Sequence, residues 1–272
     1  MRTAIVFLCK EINAETLAFS NEVAISKIGK VYLVSDETER LYAFDEMNTL
    51  IDSTFPASKI YVKDSICERD GYVGCNIDGN STHIKKKVIA YDKFLWAFCN
   101  KLTSFDNVWV FEDDCFIPSV EALGLLNLEY SKADLVTANN IEKKDKIPDW
   151  HWAKIFDKIE APYFHSMVCG AMFSSKMLKA IKEFVDKNKT LFHIEAMFNT
   201  LAAHHKLKIR VAKELKTIVW QGEWNLDHVV QRPNNIFHPI KDLAKHKELR
   251  KDLKTAITIG YMAKIKLPDF VI

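Results

Sequence analysis

The chain has 272 residues, 48% of them hydrophobic and 11% aromatic, which is enough to fill one large core or two small ones, and its formal net charge is only +2. So balanced a charge gives no global field that would draw the protein onto nucleic acid or anionic lipid, and the local basic runs at Lys85, Lys86 and Lys87 and across residues 241–254 read as solvated surface. The apolar run at residues 1–8 is ended by Lys10 and Glu11, well short of the roughly 20 apolar residues of a membrane helix, so neither an integral membrane segment nor a signal peptide is expected.

In chain order, residues 3–8 (TAIVFL) form a short run rich in β-formers, 14–25 suit a helix, 30–35 (KVYLVS) are again strand-like, and 59–62 (KIYV) add a third strand. Residues 68–82 collect Gly71, Gly74 and Gly79 with Asp, Asn and Ser, which is loop chemistry. Val88, Tyr91, Leu95 and Phe98 recur at helical spacing before an apolar strand at 107–111 (NVWVF). Strands are then expected at 134–138 and 166–173, and helices at 175–188 and 194–204.

Strand, helix and strand in alternation imply an α/β domain with a parallel sheet and helices on its faces. In such sheets ligands sit beyond the carboxyl ends of the strands, which here are Cys9 and Lys10, Ser35 and Asp36, and Glu112 to Asp114. No repeat, low-complexity tract or linker interrupts the chain, so a single domain is expected. The six cysteines, Cys9, Cys67, Cys75, Cys99, Cys115 and Cys169, form no CxxC pair; read as reduced thiols, they lead us to expect a cytoplasmic location.

The segment VWVFEDDCFIP (108–118) sets three carboxylates directly after a buried strand. Adjacent like charges repel, and a cation removes that cost. Oxygen ligands of this kind suit Mg²⁺ or Mn²⁺, and magnesium is usually held by one or two carboxylates together with substrate phosphates. The partner implied is a diphosphate. The simpler alternative is that Glu112 and Asp114 only cap the strand and the turn toward Ser119.

The strand VWVFEDD, followed by an apolar residue and a proline, resembles the DXD motif of the GT-A glycosyltransferases, and the chain is similar to the compact members of that group encoded by large DNA viruses. The resemblance implies a Rossmann-like, mostly parallel central sheet flanked by helices, and transfer of a sugar from a nucleotide diphosphate donor, UDP-sugar foremost, to a glycan or glycoprotein acceptor. By the same resemblance Glu112 contacts the ribose, Asp114 holds Mn²⁺ or Mg²⁺, and Asp113 faces the metal or the sugar. Cys9, Lys10, Asp36, Asp92 and Lys93 are then expected at the nucleotide, with residues 1–118 as a nucleotide-binding half and 119–272 as an acceptor-binding half.

His238, in FHPIKD (237–242), matches the histidine that many such enzymes supply from the C-terminal region as a metal ligand, with Lys241 available to neutralise phosphate. Glu195 is the candidate base for deprotonating an acceptor. It stands where the family carries its second acidic motif, although Ala196 replaces the aspartate expected next, and Asp149, Glu223 and Asp227 compete for the role. Trp150, Trp152, Trp220 and Trp224 are candidate sugar walls, and Gly170 a place where a sugar approaches the backbone. A nucleotidyltransferase is the nearest rival, but FLCKEINAET carries no glycine-rich phosphate loop; a sugar-binding or inactive relative is the non-enzymatic one.

Overall fold

The computed structural model describes residues 1–36, 49–75, 88–145, 147, 152–156 and 158–264. The elements run β1 (Thr3–Cys9), α1 (Ala14–Ile25), β2 (Lys30–Ser35), β3 (Thr49–Asp52), β4 (Ser58–Val62), α2 (Asp64–Asp70), α3 (Ala90–Asn100), β5 (Asn107–Glu112), α4 (Val120–Tyr130) and β6 (Leu135–Thr137). They continue through β7 (Ile141–Lys143), α5 (Ala153–Phe156), β8 (Tyr163–His165), β9 (Gly170–Ser174), α6 (Ser175–Asn188), α7 (Ile194–His204), β10 (Ile209–Val211), α8 (Leu226–Gln231) and α9 (Leu243–Lys264).

One eight-stranded sheet of order β10-β6-β9-β5-β1-β2-β4-β3 organises the chain. β1 pairs in parallel with β2 and β5, β2 with β4, and β6 with β10, while β3 and β9 run antiparallel to their neighbours. The fold is therefore α/β, a mostly parallel central sheet flanked by helices. Because β9 and β6, which follow residue 118, sit beside β5, strands from both halves of the chain share one sheet.

The pleat sends alternate side chains to opposite faces. From β1, Ala4, Val6 and Leu8 join Phe94, Phe98, Ile181 and Phe198 of α3, α6 and α7 on one face. Ile5, Phe7 and Cys9 join Phe19 and Val23 of α1 and Leu123 and Leu126 of α4 on the other. A third, smaller cluster fastens α8 and α9 through Val229, Leu249 and Leu253 onto Phe116, Phe237 and Ile240. Helix starts are set locally: Asn13, Ser119 and Ser174 each accept a hydrogen bond from the backbone N–H three residues on.

Two expectations change. Residues 68–70 are the last turn of α2 rather than loop, ended by Gly71 at φ 85°, a left-handed conformation that glycine adopts without strain. The strand expected at 166–173 begins only at Gly170, because the Ser166 N–H is drawn to the Glu195 carbonyl at 2.9 Å instead of into the sheet. Gly79, Lys85, Lys86, Lys87, Asp149 and Trp150 lie outside the described residues. All six cysteines are buried free thiols, and among the described residues no helix is long and apolar enough to cross a membrane.

Beneath the strand ends lies a buried cation. Lys93, fully enclosed, donates from Nζ to the Asp36 carbonyl at 2.9 Å and pairs with Asp64 Oδ1 at 2.8 Å. Taking one member out of an ion pair costs about 3–5 kcal/mol when both are buried. Lys93→Ala is expected to fall at the lower end, since Asp64 keeps some solvent contact, and to lower the melting temperature on the order of 10 °C. A melting temperature within about 2 °C of the wild type would show that the pair contributes little net stability.

Candidate metal and nucleotide site

β2, β1 and β5 are adjacent and parallel, so their carboxyl ends open together. Backbone bonds hold these ends in place: Asp36 N donates to Cys9 O at 3.0 Å, Asp113 N to Leu8 O at 2.9 Å, and Ser35 Oγ to Lys10 O at 3.1 Å. Beyond them is a cleft of about 230 Å³ lined by Cys9, Lys10, Asp36, Ala90, Tyr91 and the Glu112–Asp114 triplet, among others. Cys9, Lys10, Asp36, Glu112, Asp113 and Asp114 are thus gathered at one opening, as their positions at strand ends lead one to expect. Asp36 also accepts the Ala90 N–H, which fixes the first turn of α3 against the cleft.

Asp92 and Lys93 sit elsewhere. Both are fully buried beneath the cleft and neither lines it. Asp92 spends its oxygens on the N–H groups of Cys75 (3.1 Å) and Ile89 (2.9 Å), and burial lifts its pKa to about 7. Their part in any nucleotide site is to brace the walls. The reason is helical phase: Asp92 turns back to cap its own helix and Lys93 turns down onto β2 and α2.

The acidic triplet is crowded. Burial first and the Asp114 charge second raise Glu112 to about 7, against the lowering effect of His238. The same two causes, in the same order, raise Asp113 to about 6. Pleat alternation sends Glu112 to the face of Val108 and Val110, the one covered by α3 and α7. There the charge of Glu195 adds to the rise at Glu112 and at Cys169.

His238 is brought in by a second set of backbone bonds. Phe116 and Phe237 exchange N–H···O bonds of 2.8 and 3.0 Å, Ile240 N donates to Asp114 O at 2.8 Å, and His238 N donates to Thr217 O at 3.1 Å. Trp224 Nε1 donates to the His238 carbonyl at 3.0 Å. The ring is oriented by its Nδ1–H, which donates to Val219 O at 2.8 Å, so Nε2 faces Asp114 Oδ1 at 3.3 Å.

That carboxylate oxygen is buried, and His238 Nε2 is the group that faces it. Burial works to lower the His238 pKa, but Asp114, the Val219 carbonyl and Glu112 together hold it above its ordinary value. A buried carboxylate oxygen facing an oriented imidazole nitrogen at 3.3 Å can share a proton or take up a metal ion, and ligands about 2.1 Å from an octahedral ion lie about 3.0 Å apart. The carboxylate and imidazole donors present therefore fit Mn²⁺ or Mg²⁺.

Such an ion must displace protons from Glu112, which burial and Asp114 raise to about 7, and from His238, which is held above its ordinary value. Mn²⁺ affinity is accordingly expected to climb steeply with pH through about 7 and to keep rising until His238 has also lost its proton. Titrations followed by the loss of free Mn²⁺ paramagnetic signal measure this; a flat profile would mean that the triplet does not bind the ion.

Other sequence candidates divide. Lys241 is exposed and does not line the cleft. Glu223 and Asp227 are exposed, whereas the Glu195 side chain is 15% exposed, 3.7 Å from His193 Nε2, in the first turn of α7. Trp152 is buried against Phe156 and Tyr163 and is core rather than a sugar wall; Trp220 is exposed; Trp224 packs on Phe237 and steadies His238. Gly170 serves packing, not sugar approach: a Cβ there would meet Ile218 Cδ1 at 2.7 Å and Phe111 Cδ1 at 3.1 Å.

Two contributors carry no recognisable sequence signal. Val219, which orients His238, acts only through its carbonyl, and Cys169 reaches the triplet only because β9 runs antiparallel beside β5. No protein-family model matches the chain, and no curated protein matches it in sequence.

Proposed function

We propose that this protein is a metal-dependent glycosyltransferase of the GT-A type, transferring a sugar from a nucleotide diphosphate donor to a glycan or glycoprotein acceptor. The observation that carries the reading is the pairing of the buried Asp114 Oδ1 with an oriented His238 Nε2 at 3.3 Å, beside a cleft at the ends of three parallel strands. Strand ends of this kind are where open α/β sheets bind nucleotides.

In this reading Asp114 and His238, with Glu112 adjoining, hold Mn²⁺ or Mg²⁺, which when bound supplies Lewis-acid stabilisation of the leaving diphosphate. Asp36 and the backbone at Cys9 and Lys10 border the space for base and ribose, with the Lys10 ammonium at the rim. Glu195 takes the proton of the acceptor hydroxyl. Its charge reaches Glu112 from α7, which puts the acceptor on the α7 side of the triplet.

The test is a panel of nucleotide sugars incubated with the protein, with Mn²⁺ or with EDTA, scored by release of nucleoside diphosphate. Metal-dependent release from one donor is the expected result. Donor binding without release would instead favour a sugar-binding relative, and release of pyrophosphate from a nucleoside triphosphate and a sugar phosphate would favour a nucleotidyltransferase.

A further inference from the structure

The triplet has a neighbour that oxygen-ligand chemistry does not use. Cys169 Sγ, Glu112 and His238 each present a ligand atom within 4.8 Å of the other two. Cys169 is only 7% exposed, and its backbone is pinned where it stands: its carbonyl accepts from Glu112 N at 2.8 Å and from Cys115 Sγ at 3.2 Å. The next residue, Gly170, wedges against Ile218 and Phe111, and Ile218 bridges directly to His238. The thiol, the carboxylate and the imidazole are therefore fixed by one connected set of contacts.

We propose that Glu112, Cys169 and His238 form a binding site for a thiophilic divalent cation of the zinc class. One sulfur, one nitrogen and one carboxylate oxygen with an open fourth position is a donor set that zinc accepts and that hard cations do not prefer. Zn–S bonds of about 2.3 Å and Zn–N or Zn–O bonds of about 2.0–2.1 Å put tetrahedral ligands about 3.5 Å apart, so closure needs side-chain adjustment on the order of an ångström. On binding, the Cys169 S–H bond breaks, its proton leaves to solvent and a metal–sulfur bond forms; no electrons are exchanged.

Because Glu112 and His238 are common to this site and to the Asp114 arrangement, the two occupancies exclude each other, and a zinc-class ion blocks Mn²⁺. That last consequence rests on the function proposed above; the thiolate site itself does not.

The experiment uses the metal-stripped full chain with a phosphine reductant, titrated with Co²⁺ and separately with Cd²⁺. A thiolate-to-metal charge-transfer band is expected to saturate near one equivalent, and excess Zn²⁺ to abolish the Co²⁺ band. The band should be lost in Cys169→Ser, retained in Cys115→Ser and Cys9→Ser, and shifted to at least about tenfold weaker Co²⁺ affinity in His238→Asn. No band in the folded wild type, or a full band in folded Cys169→Ser, overturns the site. Should Cys169→Ser fail to fold, the His238→Asn titration decides, unchanged affinity overturning it. The band is read without any sugar donor, so failure of the transferase reading and failure of this site are distinguishable.

Discussion

Asp114→Asn is expected to lower metal-dependent release of nucleoside diphosphate by about 10²–10³-fold, because the cation proposed to stabilise the charge developing on the leaving diphosphate loses an anionic ligand. Asparagine keeps the shape and one acceptor oxygen, so the Ile240 N–H bond to the residue 114 carbonyl and the fold around it are preserved. Stability offers the control. Asp114 is the principal charge raising Glu112 and also the partner that raises His238, so its removal relieves one interaction while losing another and should leave stability within about 1–2 kcal/mol of the wild type. A purely structural Asp114 gives the opposite pattern: a larger loss of stability with activity within tenfold of normal. Mn²⁺ titration of the variant should show weakened binding in parallel with the lost activity.

The second large effect belongs to Glu195. Glu195→Gln removes the proposed proton acceptor while conserving size and hydrogen-bonding reach, and general-base catalysis contributes about 10²–10⁴-fold. Transfer to the acceptor should fall by that factor in kcat, while Mn²⁺ and nucleoside diphosphate bind as before, because Glu195 lies on the α7 face and does not line the nucleotide cleft. His193, 3.7 Å away and largely buried, is placed to steady the carboxylate. A variant that keeps kcat within tenfold would remove Glu195 from the chemistry. One that loses Mn²⁺ binding instead would move it into the metal site.

Much of the architecture is legible along the chain because its signals are local. Short, continuous apolar runs rich in β-formers mark β1, β2 and β5, and the helices α1, α6 and α7 stand where the sequence places them, their starts at α1 and α6 fixed in the structure by the caps Asn13 and Ser174. The acidic triplet is legible for the same reason. It follows directly on a strand whose apolar residues leave it no place but the strand's end, and parallel neighbours with the same pattern bring Cys9 and Asp36 alongside. The places where that reading falls short are also instructive. Asp92 and Lys93 look like exposed or nucleotide-facing polar residues in the sequence YDK, yet capping geometry and a partner in α2 draw both inside. Trp152 and Gly170 resemble sugar contacts only until their packing partners are known.

What the sequence by itself determined is thus the α/β class, the run of the principal strands and helices, and the position of one acidic cluster at the end of a buried strand. These depend on periodicity, propensity and capping within a few residues. Only the tertiary structure decided which distant groups meet that cluster. His238 arrives from 124 positions beyond Asp114 through the paired backbone of Phe116 and Phe237, with its ring turned by the carbonyl of Val219. Cys169 arrives through the antiparallel insertion of β9 beside β5. The physical reason is that a site's charge, orientation and metal preference are set by contacts between residues far apart in the chain, and strand order, which sets those contacts, leaves no mark in any local stretch of sequence.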